Sequence, residues 1–167
     1  MDARIIKTKK AIKEVFLELR KKQSLEKIKV KEICEIAIIN KATFYKYYQD
    51  VFDLSDKLEN ECLDRCQLDV ESSSALFSDP MAFIKGVPAF ESNEDLKILF
   101  RGRENLLIEK IKARLFSLYE TDKLSTTERI KLYFIVNGGM DTLQQLTTKG
   151  ISKEEIEAVI AELILKL

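Results

Sequence analysis

Residues 30–48 read VKEICEIAIINKATFYKYY and predict two short helices joined by a turn. In the first segment the apolar residues recur at the spacing of one helix face, and they are Val30, Ile33, Cys34 and Ala37. Asn40 is a preferred N-cap residue, so a second helix is expected to begin at Lys41. The three or four intervening residues match the turn of a helix-turn-helix.

The second helix divides into a packing face and a free face. Phe44 and Tyr48 are four residues apart and share the packing face. The remaining positions carry ammonium, hydroxyl and phenol groups, and they are Lys41, Thr43, Tyr45, Lys46 and Tyr47. Such groups bind phosphate oxygens and base edges in a major groove, so the pattern predicts a DNA-binding helix.

Charge is distributed unevenly along the chain. The 167 residues contain 28 basic and 28 acidic side chains, but residues 1–50 hold 13 basic and 7 acidic ones. Residues 51–167 hold 15 and 21. The excess positive charge therefore coincides with the helix-turn-helix, as expected for a DNA-binding module attached to an acidic partner domain.

Residues 28–48 resemble the DNA-binding signature of the TetR (tetracycline repressor)/AcrR-type family of helix-turn-helix transcriptional regulators. The Thr-Phe-Tyr-x-Tyr-Tyr pattern of residues 43–48 is the most specific part, and the similarity covers roughly residues 5–60. The resemblance implies an all-α fold of about nine helices. Residues 1–50 would form a three-helix DNA-binding domain, and residues 51–167 a helical dimerisation and ligand-binding domain.

The resemblance also implies a function, namely a cytoplasmic homodimeric repressor that binds a palindromic operator and is released by a small-molecule effector. The residues that it places at or near double-stranded DNA are Lys29, Lys31, Asn40, Lys41, Ala42, Thr43, Tyr45, Lys46 and Tyr47. Among these, Thr43 and Tyr45 are expected on phosphates.

Three positions depart from the family pattern. Lys29 replaces a capping Thr, Ile38 replaces a frequent Gly, and Val51 lies near a frequent phosphate-binding Lys. These departures keep an alternative open, in which the chain is a protein-interaction subunit that retains the fold but binds another regulator and does not respond to a small molecule.

Composition favours helices throughout. The chain contains only 2 Pro and 5 Gly, and Leu, Ile, Lys and Glu are abundant. No stretch reaches the ~20 apolar residues of a membrane span, and the N-terminus lacks an apolar run of signal-peptide length. We therefore expect a cytoplasmic protein with three reduced cysteines.

Periodicity and caps predict the remaining helices. The first covers Ala3 to Leu19 and is followed by the polar run Arg20 to Ser24; its basic start either approaches the DNA backbone or is a solvated face. A capping box over Ser92 to Asp95 opens a helix that Gly102 interrupts. The other predicted helices cover residues 52–72, 80–86, 103–119, 126–147 and 153–167.

The last two helices are expected to form the homodimer interface. Capping boxes at Ser125 and Ser152 open them, and Gly150 stops the first of the pair. The final helix is apolar over a wide surface, which needs a core or a partner. The alternative is that both helices only close the core of one protomer.

Enzymatic activity is not expected, because the chain has no histidine and lacks a phosphate-binding glycine loop, a nucleophile elbow and a metal-ligand cluster. No cofactor or metal is predicted, and Cys62 and Cys66 are interpreted as small buried side chains. Aromatic residues of the C-terminal part either belong to the core or line an effector pocket. The effector candidates are Phe83, Phe100, Phe116 and Tyr119.

Overall fold

The computed structural model describes residues 3–66, 93–119 and 121–167. Within these ranges every regular element is helical, so the predicted all-α class is confirmed. The α-helices of these ranges are α1 (Ala3–Lys22), α2 (Val30–Ile36), α3 (Lys41–Tyr45), α4 (Val51–Arg65), α5 (Glu94–Leu99), α6 (Glu104–Leu118), α7 (Thr126–Thr148) and α8 (Lys153–Leu165). The helix predicted at 80–86 lies outside the described residues.

The described residues pack into two compact units. The first contains residues 3–66 and 93–104, and the second contains residues 105–119 and 121–167. The first unit extends beyond the predicted domain of residues 1–50, because α5 packs against both α1 and α4.

Helix α1 supplies the central apolar stripe of the first unit through Ile12, Phe16 and Leu19. It continues to Lys22 instead of ending at Leu19. Arg20, which the sequence places at the start of a polar run, is 1% exposed. Its guanidinium is buried because carbonyl groups distant in sequence accept its hydrogen bonds.

Helix α4 begins at Val51, because the Asp50 side chain accepts a hydrogen bond from the Asp53 N–H at 2.8 Å. The helix ends at Arg65, with Cys66 as its C-cap, short of the end predicted at residue 72. Residues 67–72 lie outside the described residues. Cys62 and Cys66 are buried free thiols, as predicted.

Helix α5 is capped by Asn93 and not by the predicted box that starts at Ser92, a residue outside the described ranges. The Asn93 side-chain oxygen accepts a hydrogen bond from the Leu96 N–H at 3.2 Å. Leu96, Leu99 and Phe100 are at most 1% exposed. The turn at Gly102, with φ of +75°, separates α5 from α6 as predicted.

The second unit contains α7 and α8, which pack against each other. Ser125 and Glu128 complete the predicted capping box of α7. The Ser152 hydroxyl caps α8 by accepting the Glu155 N–H at 3.2 Å. Gly150, with φ of +85°, ends the turn after α7, where a side chain would be strained.

None of the helices in the described ranges combines the length and the apolar character of a membrane span.

Candidate nucleic-acid interface

The α2–turn–α3 segment has the predicted helix-turn-helix layout. Ile33 and Cys34 are buried on the inner face of α2, while Lys29 and Lys31 are exposed. Lys29 precedes α2 in an extended conformation, and its side chain makes no capping hydrogen bond. Helix α2 is therefore held by packing of its inner face.

The turn between α2 and α3 contains a backbone outlier. Ile38 has φ of +54° and its side chain is 91% exposed. A β-branched residue is strained in this left-handed region, which Gly occupies without penalty. Because the Ile38 side chain is almost fully exposed, packing of that side chain does not offset the strain. The backbone is therefore held in this conformation by the helices on either side.

Asn40 is the N-cap of α3, as predicted. Its Oδ1 accepts hydrogen bonds from the Thr43 N–H at 2.7 Å and from the Thr43 hydroxyl at 2.8 Å. Regular α-helix ends at Tyr45, three residues before the predicted end at Tyr48, and the chain continues as a turn in which Tyr47 and Tyr48 N–H groups bond to the Phe44 carbonyl. The cap therefore sets the direction of a short helix.

Phe44 and Tyr48 anchor α3 in the first unit, as the sequence predicts. Phe44 is 0% and Tyr48 6% exposed, and their ring centroids are 5.5 Å apart. Burial raises the pKa of Tyr48 to about 12, with smaller contributions from Glu61 and Asp53. These two rings orient the opposite face of α3 outward.

That outward face carries most of the predicted DNA-binding residues. Tyr45 is 54% exposed. The other predicted residues that are exposed on α3 or beside it are Asn40, Lys41, Ala42 and Lys46. Thr43 and Tyr47 are half-buried. The Thr43 hydroxyl donates to Asn40 instead of projecting outward, so its first role in this structure is in the cap of α3.

Helix α1 brings one of its basic residues to the turn that follows α3. Lys9 Nζ lies 5.5 Å from the centroid of the Tyr47 ring, within the range of a cation–π interaction. Lys10, by contrast, pairs with Glu14 at 3.8 Å along α1. Lys9 therefore extends the positive surface of α3, whereas its neighbour is paired within α1.

Lys57 of α4 is a site-supporting residue that the sequence reasoning missed. Its Nζ donates to the Tyr47 carbonyl at 3.1 Å and to Asp53 Oδ2 at 2.9 Å. Asp53 Oδ2 also accepts the Gln49 N–H at 2.9 Å. The hydrogen bond from Lys57, followed by that from Gln49, lowers the pKa of Asp53. The signal that could have revealed this arrangement is the capping spacing of Asp50 and Asp53.

The predicted effector residues divide between the two units. Phe100 is 1% exposed in the core of the first unit, and Phe83 lies outside the described residues. Phe116 stacks on Tyr133 of α7 in the second unit, with centroids 4.6 Å apart. Burial raises the pKa of Tyr119 to about 12. The Phe116–Tyr133 stack lies within one unit and is partly open to solvent, since Tyr133 is 50% exposed.

An apolar groove of about 330 Å³ lies between α7 and α8. Its lining includes Phe134 and Leu163, which are 66% and 56% exposed, and Gly138 and Gly139. The predicted effector residues within the described part of the chain, Phe100, Phe116 and Tyr119, do not line this groove. This groove therefore adds an exposed apolar surface to the helix pair that the sequence assigned to dimerisation.

Comparisons of the chain with protein-family models, with curated proteins and with solved structures found no match.

Proposed function

We propose that the protein is a TetR-like transcriptional regulator of the cytoplasm that binds a palindromic operator through α3 and represses transcription. The observation that carries this proposal is the arrangement of α3. An Asn40 cap and two buried rings, Phe44 and Tyr48, turn Lys41, Tyr45 and Lys46 outward.

The chemistry of this surface suits a DNA duplex. Lysine ammonium groups bind phosphates, and a tyrosine hydroxyl binds either phosphate or a base edge. Lys9 adds a cation beside Tyr47. Residues 1–50 contain 13 basic and 7 acidic side chains. Their net positive charge attracts a polyanion over a longer range.

A second copy of the chain is the proposed occupant of the α7–α8 groove. Apolar side chains on both helices are half exposed or more, and a monomer gains no stability from leaving them in water. A two-fold dimer would present two α3 helices to the two halves of a palindrome. A small-molecule effector would act by binding one dimer conformation more tightly than the other.

A second candidate function is a protein-interaction subunit. The observations that favour it are the exposed apolar tip formed by Ile36 and Ile38, which are 54% and 91% exposed, and the burial of Val51 where a phosphate-binding lysine is frequent. In that case the tip, and not the lysines, would make the principal contact.

The test is a fluorescence-anisotropy titration with a duplex that the purified protein itself enriches from a random-sequence pool. An unrelated duplex of equal length serves as competitor, at about physiological salt. Saturable binding of one dimer per site, which the unrelated duplex does not displace, supports the regulator. Weak binding that is indifferent to sequence would favour the interaction subunit.

A further inference from the structure

The turn between α2 and α3 carries the exposed apolar tip formed by Ile36 and Ile38. Ile36 is the last residue of α2, and Ile38 follows it by two residues. Their side chains are 54% and 91% exposed. Single isoleucines are common on protein surfaces, but two of them at one turn leave an apolar surface that water solvates poorly. A bound partner that covered the tip would remove this unfavourable hydration.

Ile38 also has a conformational cost. Its φ of +54° lies in the left-handed region, where a β-branched residue is sterically disfavoured. The Ile38 N–H bonds to the Glu35 carbonyl at 3.4 Å, and the Ile39 N–H bonds to the Cys34 carbonyl at 3.0 Å. These backbone bonds form the turn without any atom of the Ile38 side chain. Strained residues of this kind cluster at functional sites, so the side chain requires a role outside the fold.

The charges near the tip favour a polyanionic partner. Lys41 is exposed and follows Ile38 by three residues, so their Cα atoms are at most about 11 Å apart. Glu35, the acidic residue nearest to the tip in sequence, is paired with Lys31 at 3.7 Å. An apolar protein surface over the tip would also remove the Lys41 ammonium group from water, which is costly. A DNA duplex instead offers phosphates to that ammonium group.

Ile38 precedes α3 at the end where a recognition helix contacts bases. Residues at the beginning of such a helix lie against base edges in the major groove. Asn40, which caps α3, and Ala42 in its first turn are both exposed. The turn and the start of α3 therefore combine apolar groups, at Ile38 and Ala42, with the cation of Lys41.

The major groove contains one apolar group that matches an isoleucine. Among the four standard bases only thymine presents a methyl group there, and the other base edges present hydrogen-bond donors and acceptors. An isoleucine side chain can satisfy neither a donor nor an acceptor. Its contact with a methyl group removes apolar surface from water on both sides, whereas its contact with a cytosine amino group leaves a donor without a partner. An isoleucine in the groove therefore favours thymine.

We propose that Ile38 contacts a thymine methyl group in each half of the operator and determines specificity for that base pair. The inference rests on the proposed function. Glycine at position 38 would relieve the backbone strain but would leave the methyl group without an apolar contact. Ile36, at the other side of the turn, enlarges the apolar surface. The strain at Ile38 is then a cost of sequence selectivity.

The experiment replaces single thymines of the enriched duplex by deoxyuridine, which keeps the base pair and lacks only the methyl group. Affinities of the full-length wild type, Ile38→Ala and Ile6→Ala for each duplex are measured by fluorescence anisotropy, well below each melting transition. Ile38→Ala keeps the Cβ atom and removes the rest of the apolar side chain. Ile6→Ala is the matched control, because Ile6 of α1 is a 52% exposed isoleucine outside the tip.

The wild type is expected to bind about fourfold more weakly when the contacted thymine of one half-site is replaced, as for the loss of one buried methyl group. This loss should disappear in Ile38→Ala and persist in Ile6→Ala. Deoxyuridine at the other thymines should affect all three proteins alike.

Two results would overturn the contact while leaving the proposed function in place. The first is that Ile38→Ala retains every deoxyuridine effect of the wild type, which would assign the tip to a protein partner. The second is that no thymine methyl group of a selectively bound duplex affects wild-type affinity. Failure of the wild type to select any duplex would overturn the proposed function and the contact together.

Discussion

The side-chain oxygen of Asn40 accepts hydrogen bonds from both the backbone N–H and the hydroxyl of Thr43. One atom therefore satisfies a backbone donor of the first turn of α3 and fixes the Thr43 side chain. This relationship makes Asn40 a structural residue on a surface that the proposed function assigns to DNA. Its two roles can be separated by substitution.

Asn40→Ala is expected to lower the free energy of unfolding by about 1 kcal/mol, because it removes an N-cap. Asn40→Asp keeps an acceptor for the cap but adds a negative charge to the DNA-binding surface. Urea unfolding should leave Asn40→Asp close to the wild type, while anisotropy should detect weaker duplex binding. Equal duplex affinity in Asn40→Asp and the wild type would place Asn40 away from the phosphates.

Lys41→Ala is expected to weaken duplex binding with little change in thermal unfolding, since Lys41 is exposed. Loss of one phosphate contact should reduce the slope of log K against log salt by about 0.9. The matched control is Lys97→Ala on α5, an exposed lysine outside the candidate interface. The same slope in both variants would argue against a phosphate contact at Lys41.

Ile38→Gly is expected to raise the free energy of unfolding by about 1 kcal/mol, because Gly adopts the left-handed conformation without the steric penalty of a Cβ atom. Little apolar burial is lost, since Ile38 is 91% exposed. Ile38→Ala keeps the Cβ and should gain little in the same urea titration. A similar gain in both variants would assign the effect to removal of an exposed isoleucine.

Asp53→Asn is expected to reduce the acid sensitivity of unfolding. The pKa of Asp53 lies below its ordinary value of 3.8, mainly because of the hydrogen bond from Lys57. A depressed native pKa stabilises the fold above the unfolded value, and that contribution is lost as pH falls through the native pKa. Urea unfolding at pH 7 and pH 3 should therefore differ less in the variant than in the wild type.

Leu163→Asp is expected to dissociate the proposed homodimer, because it places a charge in the apolar α7–α8 groove. Leu165→Asp is the matched control on the same helix, where Leu165 is 65% exposed and does not line the groove. Size-exclusion chromatography with light scattering should give a monomer for the first variant and a dimer for the second. A dimer in both cases would remove the groove from the interface.

Local features of the chain were predictable because their causes lie within a few residues. The Asn40 cap and the Ser125–Glu128 box depend on side chains no more than a turn away, and the stop at Gly150 depends on the backbone freedom of that one residue. Burial of Phe44 and Tyr48 followed from their four-residue spacing. The end of α3 was less predictable, since the helical and turn conformations of residues 46–48 share similar hydrogen bonds to Phe44 and Ala42.

The sequence by itself determined the helix-turn-helix, the all-α class and the segregation of charge, because caps, periodicity and composition act locally. Only the tertiary structure decided that α5 packs on α1 and α4 and that Arg20 is buried. The hydrogen-bond acceptors of Arg20 are the carbonyls of Leu99 and Arg101, 79 and 81 residues away. A polar run at the end of a helix predicts exposed side chains unless a distant segment of the chain packs over them. Only the tertiary structure shows that packing.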